Sequence, residues 1–149
     1  YLPETYIADN EQRLIEYKRL ADVKEERQLN ILLDEWKDRF GNLPAEAQQL
    51  ASIVKLRLLA SQAQITSIKT DMQGIRLAVD FRLQQWLPIQ ARLPRHLGSK
   101  TTYKPGTAGG HGAMPYVLLK TAGMTKLEQL DLLIELISAM LANYVIKAS

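Results

Sequence analysis

From residue 10 to residue 63 the large apolar side chains recur at steps of three and four, which gathers them on one stripe of a helix with about 3.6 residues per turn. Three helices follow. The first is capped by Asp9 or Asn10 after an extended Leu2 to Asp9 segment with Pro3, and it carries Leu14, Tyr17, Leu20 and Ala21 on one face. The second runs from about Val23 to Phe40, with Leu29, Leu32, Leu33, Trp36 and Phe40 as its stripe. Gly41 supplies the left-handed residue that closes it, and Pro44 opens a third helix at a position whose amide has no partner anyway. That helix continues through Leu50, Ile53, Val54, Leu58 and Leu59 to about Ala63, and the short connections predict antiparallel neighbours.

The period then changes from helical to alternating. Ile75, Leu77, Val79 and Phe81 alternate with Arg76, Ala78, Asp80 and Arg82, and with Ile65 and Ile68 before the turn residues Asp71 and Gly74 this predicts a β-hairpin. A short helix over 84–93 is interrupted by Pro88, and residues 94–115 read as loop from their glycines and prolines, with strands at Thr101 to Lys104 and Tyr116 to Lys120 extending the hairpin. Thr125 and Glu128 form a capping box before a long last helix with Leu130, Ile134, Ile137, Leu141 and Tyr144 on one side, broadened by Leu127, Leu133, Leu136 and Met140. The predicted fold class is α+β: antiparallel helices in the N-terminal half, a small antiparallel sheet of a hairpin plus one or two strands, and the long C-terminal helix packed on it. One domain over 1–149 is expected, mainly helical to residue 64.

Composition changes this picture little. The apolar and charged fractions, 46% and 23%, are those of an ordinary globular chain, and no apolar run reaches the roughly 18 residues of a membrane span. The chain lacks cysteine, which removes disulfides and thiolate metal sites and suits a cytoplasmic location. It opens on Tyr1 rather than Met, as a piece of a longer polypeptide or a chain freed of a tag would. Charge is more informative, because residues 1–50 carry 7 Lys and Arg against 11 Asp and Glu while residues 51–149 carry 12 against 5. An acidic front and a basic rear are expected, as solvated faces or as partner surfaces.

Candidate chemistry is thin. Gly98, Ser99, Lys100 and Thr101 resemble the tail of a phosphate-binding loop but lack its defining glycines, so the segment reads as a surface turn. His111, within Gly109, Gly110 and Gly112, has no nucleophile or orienting partner in view, so neither catalysis nor a metal site is expected, and no cofactor. Arg92, Arg95, His96, Lys100, Tyr103 and Lys104 make the best nucleic-acid patch, since cations neutralise phosphates and an aromatic stacks on a base. Glu35 and Asp38, three residues apart, share a helix surface and could engage one basic patch, although from the residues alone an exposed charged face with Glu35 pairing Arg39 is the better explanation. Carboxylates near a helix C-terminus face the negative end of its dipole, so local stability does not account for them.

The run Glu35, Trp36, Lys37, Asp38, Arg39, Phe40, Gly41, Asn42, Leu43, Pro44 resembles the Glu-x-x-Asp-Arg-Phe-Gly-x-Leu-Pro signature of the C-terminal domain of bacterial transcription-repair coupling factors. Leu2, Pro3, Tyr6, Ile7, Asp9, Arg13, Leu14, Tyr17, Lys18 and Arg19 are similar to that domain's opening, so the resemblance spans residues 1 to 68. Where the family has a glycine this chain has Gln64, so Gln64 either adopts a left-handed conformation or the third helix ends differently. The resemblance implies a non-catalytic, autoinhibitory domain of a DNA-repair protein whose parent is an ATP-dependent, helicase-like translocase and hydrolase. That parent would need ATP and magnesium, bind double-stranded DNA, displace stalled RNA polymerase and recruit nucleotide excision repair. It further implies that Glu35, Asp38 and Arg39 dock this domain on the parent's own N-terminal module and cover the surface that recruits UvrA. The alternative is a stand-alone nucleic-acid-binding module that uses the basic 92–104 region.

Overall fold

Asp9 begins the first helix by accepting the Glu11 amide at 3.0 Å, and α1 (Asn10–Ala21) follows. The computed structural model describes residues 2–106 and 114–148, the side chains of 144–148 excepted. After α1 come α2 (Glu26–Phe40), α3 (Ala45–Gln62), β1 (Ser67–Thr70), β2 (Gly74–Ala78), α4 (Leu83–Arg92), α5 (Arg95–Gly98), β3 (Thr101–Lys104), β4 (Tyr116–Lys120) and α6 (Lys126–Ala148). The chain forms two compact units, Tyr1–Leu58 and Leu59–Ser149, with α3 crossing the boundary.

In the first unit α1, α2 and the start of α3 close over Leu2, Ile7, Leu20, Leu29, Leu32, Trp36 and Val54. The inward face of α1 differs from the expected one. Leu14 is 68% exposed and Ala21 is exposed, whereas Glu16 is wholly buried beside Leu20. Counting apolar residues misplaced this face because Glu16 finds hydrogen-bond donors inside, which makes a carboxylate tolerable there. On α3, Ile53 likewise points outward, and the small residues Ala47 and Ala51 line the core with Val54. α3 runs antiparallel to α2: Lys55 pairs with Glu26, and Arg57 donates to the Val23 carbonyl at 3.0 Å.

Gln64 ends α3 with φ 59°, and the Ile65 amide reaches back to the Ala60 carbonyl at 3.0 Å. This is the left-handed cap of the two endings open to the sequence.

In the second unit the hairpin turn is built by Asp71, whose carboxylate accepts from the amides of Gln73 at 2.8 Å and Gly74 at 3.2 Å. Those bonds, with Arg76 beside it, hold the Asp71 carboxyl below the usual value. Gly74 has φ 148°, and a Cβ there would stand 2.1 Å from the Leu119 carbonyl oxygen, so only glycine lets β2 and β4 approach. The sheet is four-stranded and antiparallel, in the order β1-β2-β4-β3, so β3 and β4 extend the hairpin on its β2 side.

One face of the sheet carries Ile75, Leu77, Val117, Leu119 and Thr101, all buried. α4 and α5 meet that face: Thr101 donates to the Leu97 carbonyl at 3.0 Å, and Tyr103 donates to the Phe81 carbonyl at 2.8 Å. α4 is not broken by Pro88; it continues to Arg92, with Gln85 accepting the Arg82 amide at its start. Part of the expected loop is helical as well, since Arg95–Gly98 forms α5 after Pro94. The capping box of α6 is formed, Glu128 N–H to Thr125 Oγ1 at 3.1 Å with the reciprocal bond at 3.4 Å. Its buried stripe is Leu132, Leu133, Leu136, Ile137 and Met140; Leu130, Ile134 and Leu141 flank it half-buried, and Leu127 is exposed. The stripe is rotated from the expected one because a helix this apolar offers several periodic choices, and contact with α4 selects among them. No helix among the described residues is long and apolar enough to cross a membrane.

Candidate docking surface

The corner after α2 is held from beneath by the N-terminal segment. Leu2 and Ile7 are buried, and the Tyr6 hydroxyl donates to the carbonyls of Gly41 at 2.9 Å and Trp36 at 3.2 Å, while its ring meets Phe40 edge-on. The Gly41 carbonyl lies just past the helix end, where acceptors lack intrahelical donors, so Tyr6 satisfies a group that would otherwise depend on water. Burial raises the Tyr6 pKa, which keeps the hydroxyl a donor. Gly41, at φ 95°, lets the chain turn toward Pro44.

Behind the acidic surface lies a charge network, of which the sequence reading anticipated only the Glu35 and Arg39 pair. Glu16 Oε2 accepts from Trp36 Nε1 at 3.0 Å and from Arg19 at 3.2 Å; its Oε1 accepts from Arg19 at 2.9 Å and Gln12 at 3.4 Å, with Arg39 at 3.5 Å. Arg19 also binds Glu35, and Arg39 lies 3.6 Å from Glu35. Two arginines thus bridge a buried and a half-exposed carboxylate. Arg19's hydrogen bond holds the Glu35 carboxyl below its ordinary value, and the same bond raises the Arg19 pKa. A buried carboxylate survives only when paired and hydrogen-bonded, and here both conditions are met. The available signal was the arrangement Arg13, Glu16, Leu20 at helical spacing, in which a carboxylate shares the inward face with a core leucine.

Glu35, Asp38 and Arg39 therefore occupy different situations. Glu35 and Arg39 are engaged within the unit. Asp38 is exposed and makes no ion pair among the described residues. On the same face of α2, two turns earlier, Ile31 is 59% exposed and lines a shallow groove with Arg19, Asp22, Val23, Gln28 and Leu32, and Ile15 of α1 is 52% exposed. The arrangement offers exposed carboxylates that make no ion pair among the described residues, Asp38 with Asp34 and Asp22, together with exposed isoleucines, which suits a protein partner with cations and an apolar rim.

The other candidates scatter. Arg92 and Arg95 stand exposed on α4 and α5, which cover the buried face of the sheet, whereas alternation places Lys100 and Lys104 with Thr102 on its opposite face. His96 pairs with Glu135 of α6 at 2.6 Å. His111 lies outside the described residues. Among the described residues no cluster of His, Cys, Asp and Glu could hold a metal ion.

The model of the TRCF domain family matches residues 1–85. The chain is 39% identical over 79 residues to the transcription-repair-coupling factor of Bacillus subtilis, covering 53% of this chain and 7% of that protein. It is 41% identical over 68 residues to that of Mycobacterium bovis, covering 46% of this chain and 6% of the relative. The match therefore spans less than a tenth of these relatives. A solved C-terminal domain of transcription-repair coupling factor superposes with a TM-score of 0.75 at 18% identity, over 95% of this chain and 86% of the other, which establishes a shared fold across both units. With the signature Glu35 to Pro44 inside the matched stretch, the chain belongs to the TRCF domain family.

Proposed function

We propose that this chain is the C-terminal regulatory domain of a transcription-repair coupling factor, non-catalytic in itself, which docks through the Asp38 surface on the parent's own N-terminal module and masks the surface that recruits UvrA. The parent is an ATP-dependent translocase on double-stranded DNA, requiring ATP and magnesium, that displaces stalled RNA polymerase. The observation that supports the docking reading is the contrast at the end of α2: Glu35 is neutralised by Arg19 and Arg39, while Asp38 is exposed and unpaired. An uncompensated carboxylate held on a braced helix end is pre-organised to meet a cation, so little ordering cost is left for binding.

Docking of this kind is a two-state switch. A closed form favoured by about 3 kcal/mol keeps the open form below about one per cent, and engagement of polymerase reverses the balance if it binds the open form correspondingly better. Truncating one partner of a desolvated interface pair costs about 2 to 5 kcal/mol, enough to open such a latch. In the intact parent, Asp38→Lys is expected to raise basal ATP hydrolysis and UvrA binding together. A folded Asp38→Lys parent with both quantities unchanged would remove the docking role.

A further inference from the structure

The four-stranded sheet has a second face, and its residues can be read from the register. Directly opposed residues of antiparallel strands share a face, so Ser67, Ala78, Tyr116 and Lys104 form one row, and Lys69, Arg76, Leu118 and Thr102 the next. Lys100 stands opposite Lys120 one step beyond the Thr101 and Leu119 pair, its carbonyl accepting the Lys120 amide at 2.8 Å. The face opposite the core thus presents Tyr116 and Ala78, both half-buried, over a buried Leu118, bordered by Lys69, Arg76, Lys100, Lys104 and Lys120.

Charge on this face is unbalanced. Asp71 pairs with Arg76, and none of the four lysines forms an ion pair among the described residues. Two like-charge pairs are set directly across strands, Lys69 against Arg76 and Lys100 against Lys120. Asp71 offsets the first of these, but the Lys100 and Lys120 pair has no counter-charge among the described residues, so the stability of the fold does not explain it. An anionic ligand lying across the strands would convert each repulsion into a shared attraction.

The shape narrows the ligand further. Lys69, Lys104 and Lys120 are exposed, and neighbouring rows are about 7 Å apart along a strand, so the cations form a rim around a flat surface rather than a single anion pocket. The Arg76 guanidinium lies 4.8 Å from the Tyr116 ring centre and fixes that ring on the platform. Beside it Thr66, Ser67, Lys69, Arg76, Ala78 and Tyr116 line a concavity with hydroxyls at one wall and an aromatic at the other. Cations for a backbone, a ring for stacking and a recess with hydrogen-bonding groups are the elements that hold an unpaired base. A duplex keeps its base faces stacked inside and would use the cations alone.

We infer that the solvent-facing side of the β1-β2-β4-β3 sheet is a binding surface for single-stranded nucleic acid, with Lys69, Lys100, Lys104 and Lys120 on the phosphates and Tyr116 with Arg76 on a base. This surface differs from the 92–104 segment singled out by charge along the sequence, because Arg92 and Arg95 are carried by α4 and α5. It is also separate from the Asp38 docking surface, and each stands or falls without the other.

Fluorescence anisotropy of a labelled oligothymidylate, titrated with the full 149-residue chain, tests the assignment. Binding is expected in the micromolar range at about 50 mM salt, weakening about 50-fold by about 200 mM, as release of counterions from four phosphates of a single strand requires. Lys69→Gln with Lys104→Gln, both at exposed positions, should weaken binding and roughly halve the slope of affinity against salt. Tyr116→Leu should weaken it about tenfold with the slope unchanged, the signature of lost stacking. Circular dichroism verifies that each variant is folded. No binding at low salt overturns the proposal, as does a folded Tyr116→Leu variant with full affinity. A duplex bound as tightly as the single strand, or polyglutamate bound as tightly as either, also overturns it, the latter assigning the face to an acidic protein segment.

Discussion

In the unit formed by residues 1–58 a carboxylate, Glu16, is buried with both oxygens accepting hydrogen bonds from Trp36, Arg19 and Gln12, whereas the sheet of the unit formed by residues 59–149 sets Lys69 against Arg76 and Lys100 against Lys120 on an open face. The first arrangement uses charge to hold two helices together. The second spends stability to keep positive charge available. Charged residues can therefore mean opposite things: Glu16 is answered within its own unit and Arg76 by Asp71, whereas Lys69, Lys100 and Lys120 make no ion pair among the described residues.

The sharpest way to break this contrast is to remove one member from each side. Glu16→Ala should destabilise the chain by about 3 to 5 kcal/mol, because it leaves the Trp36 indole N–H unanswered and two arginines without their buried counter-charge. Urea denaturation measures it, and a loss below about 1 kcal/mol would show that the network is surface-like. A second variant probes backbone cost alone: Gln64→Gly should stabilise by about 1 kcal/mol by relieving a left-handed non-glycine residue at φ 59°. An unchanged or lower denaturation midpoint would mean that the Gln64 side chain offsets its strain.

The sheet should respond with the opposite sign from Glu16. Lys69→Thr removes a like-charge pair and adds a β-branched residue, so a gain of about 0.2 to 1 kcal/mol is expected in the same assay. A clear loss would indicate that Lys69 has a stabilising partner and would remove the contrast. The smallest effect concerns pH. Glu35 has a folded pKa below its unfolded value of about 4.3, so its contribution is fully present above that pH and is lost as pH falls through the folded value. Glu35→Gln should thus be less stable than the unmodified chain at neutral pH, and the gap should close below about pH 4. A gap constant from pH 7 to pH 3 would mean that Arg19 contributes little through that carboxylate.

Local chemistry was legible where a residue type has few uses. Gly41 with Pro44, Asp71 with Gly74, and Thr125 with Glu128 each marked an end or a turn that the structure forms, alternation found the second hairpin strand, and the stretches expected to extend the hairpin are strands. Residues whose role depends on distant partners were not legible. Leu14 read as core, yet it is exposed while Glu16 is buried, because Trp36 and Arg39, far along the chain, supply the donor and the cation. The stripe of α6 was similarly ambiguous until contact with α4 chose Leu133, Leu136 and Met140. For the candidate site, the carboxylate positions were visible from spacing, but that Glu35 is neutralised while Asp38 is not required knowing where Arg19 falls. Of the cationic sheet face, charge along the sequence picked out Lys100 and Lys104 but grouped them with Arg92 and Arg95, since Lys69 and Lys120 join them only through register.

The grip of Tyr6 on the carbonyls of Trp36 and Gly41 makes the segment 2–7 a mechanical handle on the end of α2. Because Leu2 and Ile7 anchor the same segment in the core, a pull on it is delivered to the corner that presents Asp38 rather than absorbed in slack chain.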